Sequence, residues 1–217
     1  MTIQKNIASR ALAIFLLGTF AALTASPSLA GPYENAIKAY QAEDFAEAAK
    51  WFEKSALLGN AEAQHNLGVF YDNGTGVAQS DALAFKWYTA AAKQGMKHSQ
   101  YNLGLMYDNA QGVEKSSKTA AYWYEKAAEQ DVLAAQYNLA SMYDNGEGIA
   151  QSNALAFKWY SAAADQGYAA AQHNLGVMYY NGQGIKADAD MAISWIKKAA
   201  GQGYGDAIAA LEQLGVE

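Results

Sequence analysis

Leucine recurs at 67, 103, 139 and 175, tyrosine at 71, 107, 143 and 179, and tryptophan at 87, 123, 159 and 195, each step being 36 residues. A fixed period of this size marks a repeat array, in which every unit is one supersecondary element that buries its apolar face against its neighbours. Four full repeats are expected at 59–94, 95–130, 131–166 and 167–202. A half-step at 33–58 precedes them, in register through Trp51, and a truncated segment at 203–217 follows and reads as a terminal cap. No linker, proline or shift of composition interrupts the chain after residue 32, so 31–217 reads as one domain.

Each repeat divides into two helical patterns. In the first, Ala63, Leu67, Phe70 and Tyr71 fall at i, i+4, i+7 and i+8, one face of a helix. The pattern stops at Asn73-Gly74-Thr75-Gly76, residues that tolerate the left-handed conformation ending helices. Ala110 stands where the other repeats have the first glycine, so a slightly different turn is expected there. The second helix is expected to start at Ser80, Ser116, Ser152 and Asp188, whose side chains can accept from the free N–H groups of a first turn. Its buried stripe is Ala84, Trp87, Tyr88 and Ala91, with the tryptophan filling the gap between helices and Trp123 the most enclosed. Gly95, Gly167 and Gly203 end these helices, and Asp131 breaks the rule.

The first thirty residues differ. Lys5 and Arg10, an apolar run from Ala11 to Ala25, and Ser28-Leu29-Ala30 form the three-part layout of a secretory signal peptide, with cleavage expected after Ala30. The run is shorter than the roughly 20 residues of a spanning helix, so no membrane insertion is expected once the leader is cleaved, and the protein is expected in a bacterial periplasm or secreted. With no cysteine, packing alone must hold the fold. Removal of Lys5 and Arg10 deepens the net charge from −6 to −8 and leaves no arginine. That argues against nucleic acid or an anionic membrane as a partner.

The repeats resemble the Sel-one-like repeat family, relatives of the tetratricopeptide repeats. The pattern A-x-x-N-L-G-x-x-Y-x-x-G-x-G-V, then A-x-x-W-Y-x-x-A-A-x-x-G, is followed from 59 to 203, with Ala140 replacing a glycine in the third copy. The resemblance implies an all-α fold, a right-handed solenoid of antiparallel helix pairs whose concave face binds proteins, with no conserved chemistry. The 33–58 segment looks more like an ordinary tetratricopeptide unit with a shorter turn.

Candidate chemistry has plainer explanations. The Gly-x-Gly pairs at 74/76, 146/148 and 182/184 follow helices rather than strands, against a nucleotide site. His65 and His173 lie three repeats apart in one column and His98 has no partner at ligand spacing, so neither a metal nor any other cofactor is expected. Ser194-Trp195-Ile196-Lys197 spells the Ser-x-x-Lys of penicillin-recognising enzymes. Some cysteine-rich secreted relatives are associated with beta-lactam binding. No Ser-Asp-Asn or Lys-Thr-Gly follows, however, and Ser194 falls in the column of Lys86 and Lys158. An enzyme is therefore not expected.

What remains is a repeated polar face. If the first helix packs through 63, 67, 70 and 71, then 65, 66, 69, 72 and 73 point elsewhere. The columns read His65, Tyr101, Tyr137, His173, then Asn66, Asn102, Asn138, Asn174, then Asp72, Asp108, Asp144, Tyr180. Of these, His65, Asn66, Tyr101, Asn102, Asp108, Tyr137, Asn138, Asp144, His173 and Asn174 are the candidate partner-binding residues, suited to a protein or peptide. The asparagine column is equally well read as a structural ladder of amides. The expected function is an exported binding scaffold or regulator, with a secreted factor engaging a host protein as the alternative.

Overall fold

The computed structural model describes residues 31–216, so the expected leader and its cleavage site lie outside the described residues. Eleven helices and no strand occur among the described residues. They form two compact units divided after Met96. The first holds α1 (Pro32–Gln41), α2 (Phe45–Leu57), α3 (Ala61–Asn73) and α4 (Asp81–Lys93). The second holds α5 (Lys97–Asn109), α6 (Ser117–Ala128), α7 (Leu133–Asn145), α8 (Asn153–Asp165), α9 (Ala169–Asn181), α10 (Ala189–Gly201) and α11 (Gly205–Leu214). Each odd helix from α1 to α9 pairs with the even helix after it, short turns making the partners antiparallel, and α11 packs on α10. The fold class is all-α, a repeat solenoid.

The helix boundaries follow from local chemistry. Ser80, Ser116 and Ser152 accept from the N–H three residues on at 3.3, 3.2 and 3.3 Å, and Asp188 does so at 2.9 Å. Their own N–H groups bond back to the carbonyls of Tyr71, Tyr107, Tyr143 and Tyr179, all at 2.9 Å, which fixes the path between the two helices of a pair. Gly74 ends α3 in the left-handed region with φ 70°. Ala110 reaches φ 58° and Asp131 φ 59°, so both exceptions keep the geometry of the glycines they replace. The turn at Ala110 is the same turn, held against a side-chain penalty.

The second glycine of each loop has a different task. A Cβ on Gly76 would collide with the Phe45 backbone at the start of α2, and one on Gly148 with the Ser117 backbone at the start of α6. Gly184 meets Asn153 of α8 in the same way. The Gly-x-Gly pairs are thus a helix end followed by a seat for the preceding repeat.

Within a pair, the deepest contact is not made by tryptophan. Tyr88, Tyr124 and Tyr160 are buried to 1–2 % exposure, and Ile196 takes the same position in α10. A Cβ on Gly68 would lie 2.6 Å from the Tyr88 ring, and one on Gly104 2.6 Å from the Tyr124 ring. The glycine therefore lets the tyrosine lie flat on the helix backbone. Ala140, wholly buried, fills that place opposite Tyr160. The tryptophans sit one position further round. Trp87 and Trp159 are buried, but Trp51, Trp123 and Trp195 are only partly so, which corrects the expectation that Trp123 is the most enclosed. Lysine covers the exposed indole faces, Lys86 over Trp87 at 4.6 Å, Lys158 over Trp159 at 4.4 Å and Lys198 over Trp195 at 3.5 Å. At Trp123 the neighbour is Tyr122, edge-on at 5.0 Å.

The amide ladder exists, but glutamine builds it. Gln94 donates to Gln64 at 2.7 Å, Gln130 to Gln100 at 2.8 Å, Gln166 to Gln136 at 2.7 Å and Gln202 to Gln172 at 2.8 Å. The buried member then donates to a carbonyl at the end of the preceding even helix. Gln64 reaches Ala56, Gln136 reaches Ala128 and Gln172 reaches Ala164. Those carbonyls lie in the last turn, where each also accepts a backbone N–H, from Gly59, Asp131 and Gly167. These three pairs so join one repeat to the next, each within its own unit.

Candidate functional site

The ten candidate residues divide between the two units. In the first, His65 is 2 % and Asn66 1 % exposed, and Val69 of the same face is also buried. The expectation that this face of α3 is open does not hold there. His65 stacks 5.9 Å from Tyr88, and the Tyr33 phenol interacts with the Asn66 amide. Both residues are packing in this unit.

In the second unit the same columns stay half-exposed. Tyr101, Asn102 and Asp108 lie on α5, Tyr137, Asn138 and Asp144 on α7, and His173 and Asn174 on α9. The structure brings Asn138 beside the phenols of Tyr101 and Tyr124, and Asn174 beside those of Tyr137 and Tyr160. The asparagines therefore meet tyrosines of the preceding repeat rather than each other. Tyr101 and Tyr137 stand on the buried tyrosines beneath them, 5.9 Å from Tyr124 and 5.7 Å from Tyr160. Burial pushes Tyr101 up to about 12, with Tyr168 adding and Asn138 opposing. Burial also raises the Asp108 carboxyl, reinforced by Glu147 and opposed by Lys115.

Three residues of this face carried no periodic signal. Tyr168 packs edge-on against Tyr137 at 5.1 Å, and Tyr204 stacks 5.5 Å from His173. Their column holds Asn60, Met96 and Val132 in the other copies, so the period does not announce a phenol. Asp206, in the first turn of α11, bears electrostatically on Tyr204, Tyr137 and His173. Tyr204 is pushed up to about 12, by burial first and then by Asp206. Burial lowers His173 and Asp206 pulls it back.

The other chemistry candidates stay apart. Ser194 and Lys197 are exposed on α10, beside Trp195 at the edge of the core. Among the described residues, no group of three or more His, Cys, Asp or Glu is placed to hold a metal ion. No helix among them is long and apolar enough to cross a membrane.

A family model described as Sel1 repeat matches residues 33–60, 61–96, 97–132, 133–168 and 169–204. The short first segment is thus matched as a repeat of the same kind. Two solved structures are similar. One is a protective antigen present in uropathogenic Escherichia coli strains and displaying an SLR fold, 34 % identical with a TM-score of 0.77 over 81 % of this chain and 38 % of that one. The other is a Sel1 repeat protein from Oxalobacter formigenes, 32 % identical with a TM-score of 0.75 over 82 % of this chain and 71 % of its own. The chain therefore spans little more than a third of the first of these relatives. No curated protein matches the sequence.

Proposed function

The chain belongs to the Sel1 repeat family, and from that premise we propose that it is an exported, non-catalytic scaffold that binds a protein segment on the inner face of its first helices. Proteins of this family typically mediate protein–protein interaction and are generally non-catalytic. The observation that supports this face most is the row of half-exposed phenols in the second unit, Tyr101, Tyr137, Tyr168 and Tyr204. Packing is already complete beneath them in Tyr124 and Tyr160. Tyrosine supplies large, stiff contact area with a polar end, the composition of binding hot spots. The leader-like residues 1–30 support export, and the absence of arginine after residue 30 supports a neutral or basic partner. A factor displayed to a host is the second reading, favoured by the likeness to the uropathogenic antigen.

The test is selection of peptides from a random display library on residues 31–217. Selected peptides should lose more than about 2 kcal/mol of affinity on Tyr101→Ala with Tyr137→Ala, measured below the variant's own melting transition. Lys86→Ala with Lys158→Ala, on the second helices, should leave binding intact. The reverse result would put the binding surface on the other face.

A further inference from the structure

We infer that the second unit carries a subsite for one lysine or arginine side chain of a bound segment, walled by Tyr137, Tyr168 and Tyr204 and closed by the Asp206 carboxylate. The inference rests on the inner-face reading above and names the chemistry of one position on it.

The walls come from three successive first helices and their leading residues. Tyr137 belongs to α7, Tyr168 immediately precedes α9, and Tyr204 immediately precedes α11. The Tyr137 and Tyr168 rings stand at 73° with centroids 5.1 Å apart, the edge of one against the face of the other. The hydroxyls of Tyr137, Tyr168 and Tyr204 are close enough for each ionisation to oppose the others. Asp206 bears electrostatically on two of the three, Tyr137 and Tyr204.

Such an arrangement discriminates by charge. Ring faces are the negative ends of aromatic quadrupoles and attract an ammonium or guanidinium within about 6 Å. The exposed Asp206 carboxylate beside these phenols adds attraction, which salt weakens. Four of the protein's lysines, Lys54, Lys86, Lys158 and Lys198, lie on indoles of the even helices. Among the described residues no lysine covers Tyr137, Tyr168 or Tyr204. His173 stacks on Tyr204 and is held toward its neutral form by burial, so it does not supply the missing charge. The net charge of −8 after residue 30 favours the same kind of partner at long range.

The experiment uses residues 31–217 with fluorine-labelled tyrosine and two probes, the blocked peptides acetyl-Gly-Lys-Gly-amide and acetyl-Gly-norleucine-Gly-amide. The lysine probe should shift the Tyr168 and Tyr204 resonances, and the norleucine probe should bind at least about tenfold more weakly. Asp206→Asn should weaken the lysine probe about fivefold. Asp206 is exposed, so the variant should melt close to the parent. Tyr168→Leu supplies a second variant that keeps apolar bulk and removes the ring face. Equal binding of the two probes, or indifference to both substitutions, overturns the subsite. The peptides selected from the library separate the two readings. Peptides that need Tyr101 and Tyr137 but neither Asp206 nor a basic residue leave the inner face standing and refute the subsite alone. Peptides indifferent to Tyr101 and Tyr137 refute the inner face itself.

Discussion

Gln166 Nε2 donates to Gln136 Oε1 at 2.7 Å, and Gln136 Nε2 donates in turn to the carbonyl of Ala128 at 3.3 Å. Two helices of one repeat and the end of the preceding repeat share a single buried amide. Gln136 is 2 % exposed, so Gln136→Leu removes it without opening a large space, while the Ala128 carbonyl keeps the Asp131 N–H and the exposed Gln166 amide keeps solvent. The expected cost is about 0.5–1.5 kcal/mol, the net worth of a typical hydrogen bond. Thermal melts of residues 31–217 measure it, and an unchanged transition would mean that water replaces the amide at no cost.

The glycine beneath each buried tyrosine gives a sharper contrast. Gly104→Ala places a methyl 2.6 Å from a ring that is itself enclosed, and should destabilise by about 1–3 kcal/mol, as overpacked cores do. Ala140→Gly, at the same column opposite Tyr160, should cost only about 1 kcal/mol, mostly helix propensity. Equal effects of the two changes would show that the helices shift freely apart.

Neighbouring aromatics in α6 should rank opposite to their size. Tyr124→Ala should cost about 3–5 kcal/mol, whereas Trp123→Ala should cost less because part of its ring already faces solvent. Tyr124→Phe should be nearly neutral, since the hydroxyl is buried without a hydrogen bond of its own. Denaturant titration of the three variants settles the order.

The phenols make stability fall in alkali. Tyr101 and Tyr204 ionise near 12 when folded and near their ordinary 10 when unfolded. Their contribution is therefore fully present below pH 10 and is lost as pH rises from about 10 through 12. Tyr101→Phe and Tyr204→Phe together should flatten that fall, read as melting temperature against pH. A parallel fall in parent and variant would assign the alkaline transition to other groups.

The sequence made some of these features plain and hid others for physical reasons. Ser80, Ser116, Ser152 and Asp188 could be placed as caps because a cap acts on an N–H three residues away, so its chemistry is local. Tyr88 and Trp87 could not be ranked for burial, because adjacent residues on a helix differ by one angular step and the decision lies with Gly68, twenty residues earlier. A ladder is one of two readings of the asparagine column, although Gln64, Gln100, Gln136, Gln172 and Gln94, Gln130, Gln166, Gln202 repeat just as faithfully. Pairing those two columns requires knowing that residues thirty apart meet. Tyr168 and Tyr204 lay beyond reach of any period, since only two of the copies carry them. His65 and Asn66 share their columns with half-exposed residues, yet burial differs between units, which a repeat pattern cannot express.

The glutamine joint has a consequence for how such chains change over time. Its donor, its acceptor and the helix-end carbonyl it captures all recur with the 36-residue step, as does the glycine that seats each loop on the repeat before it. A block of one or two steps copied in frame therefore brings a finished joint at both of its edges and asks nothing new of the residues around it. The near-identity of 77–88 and 149–160 is what one such copying would leave behind. Length in such an architecture can therefore change in whole multiples of the step without any new joint having to be invented.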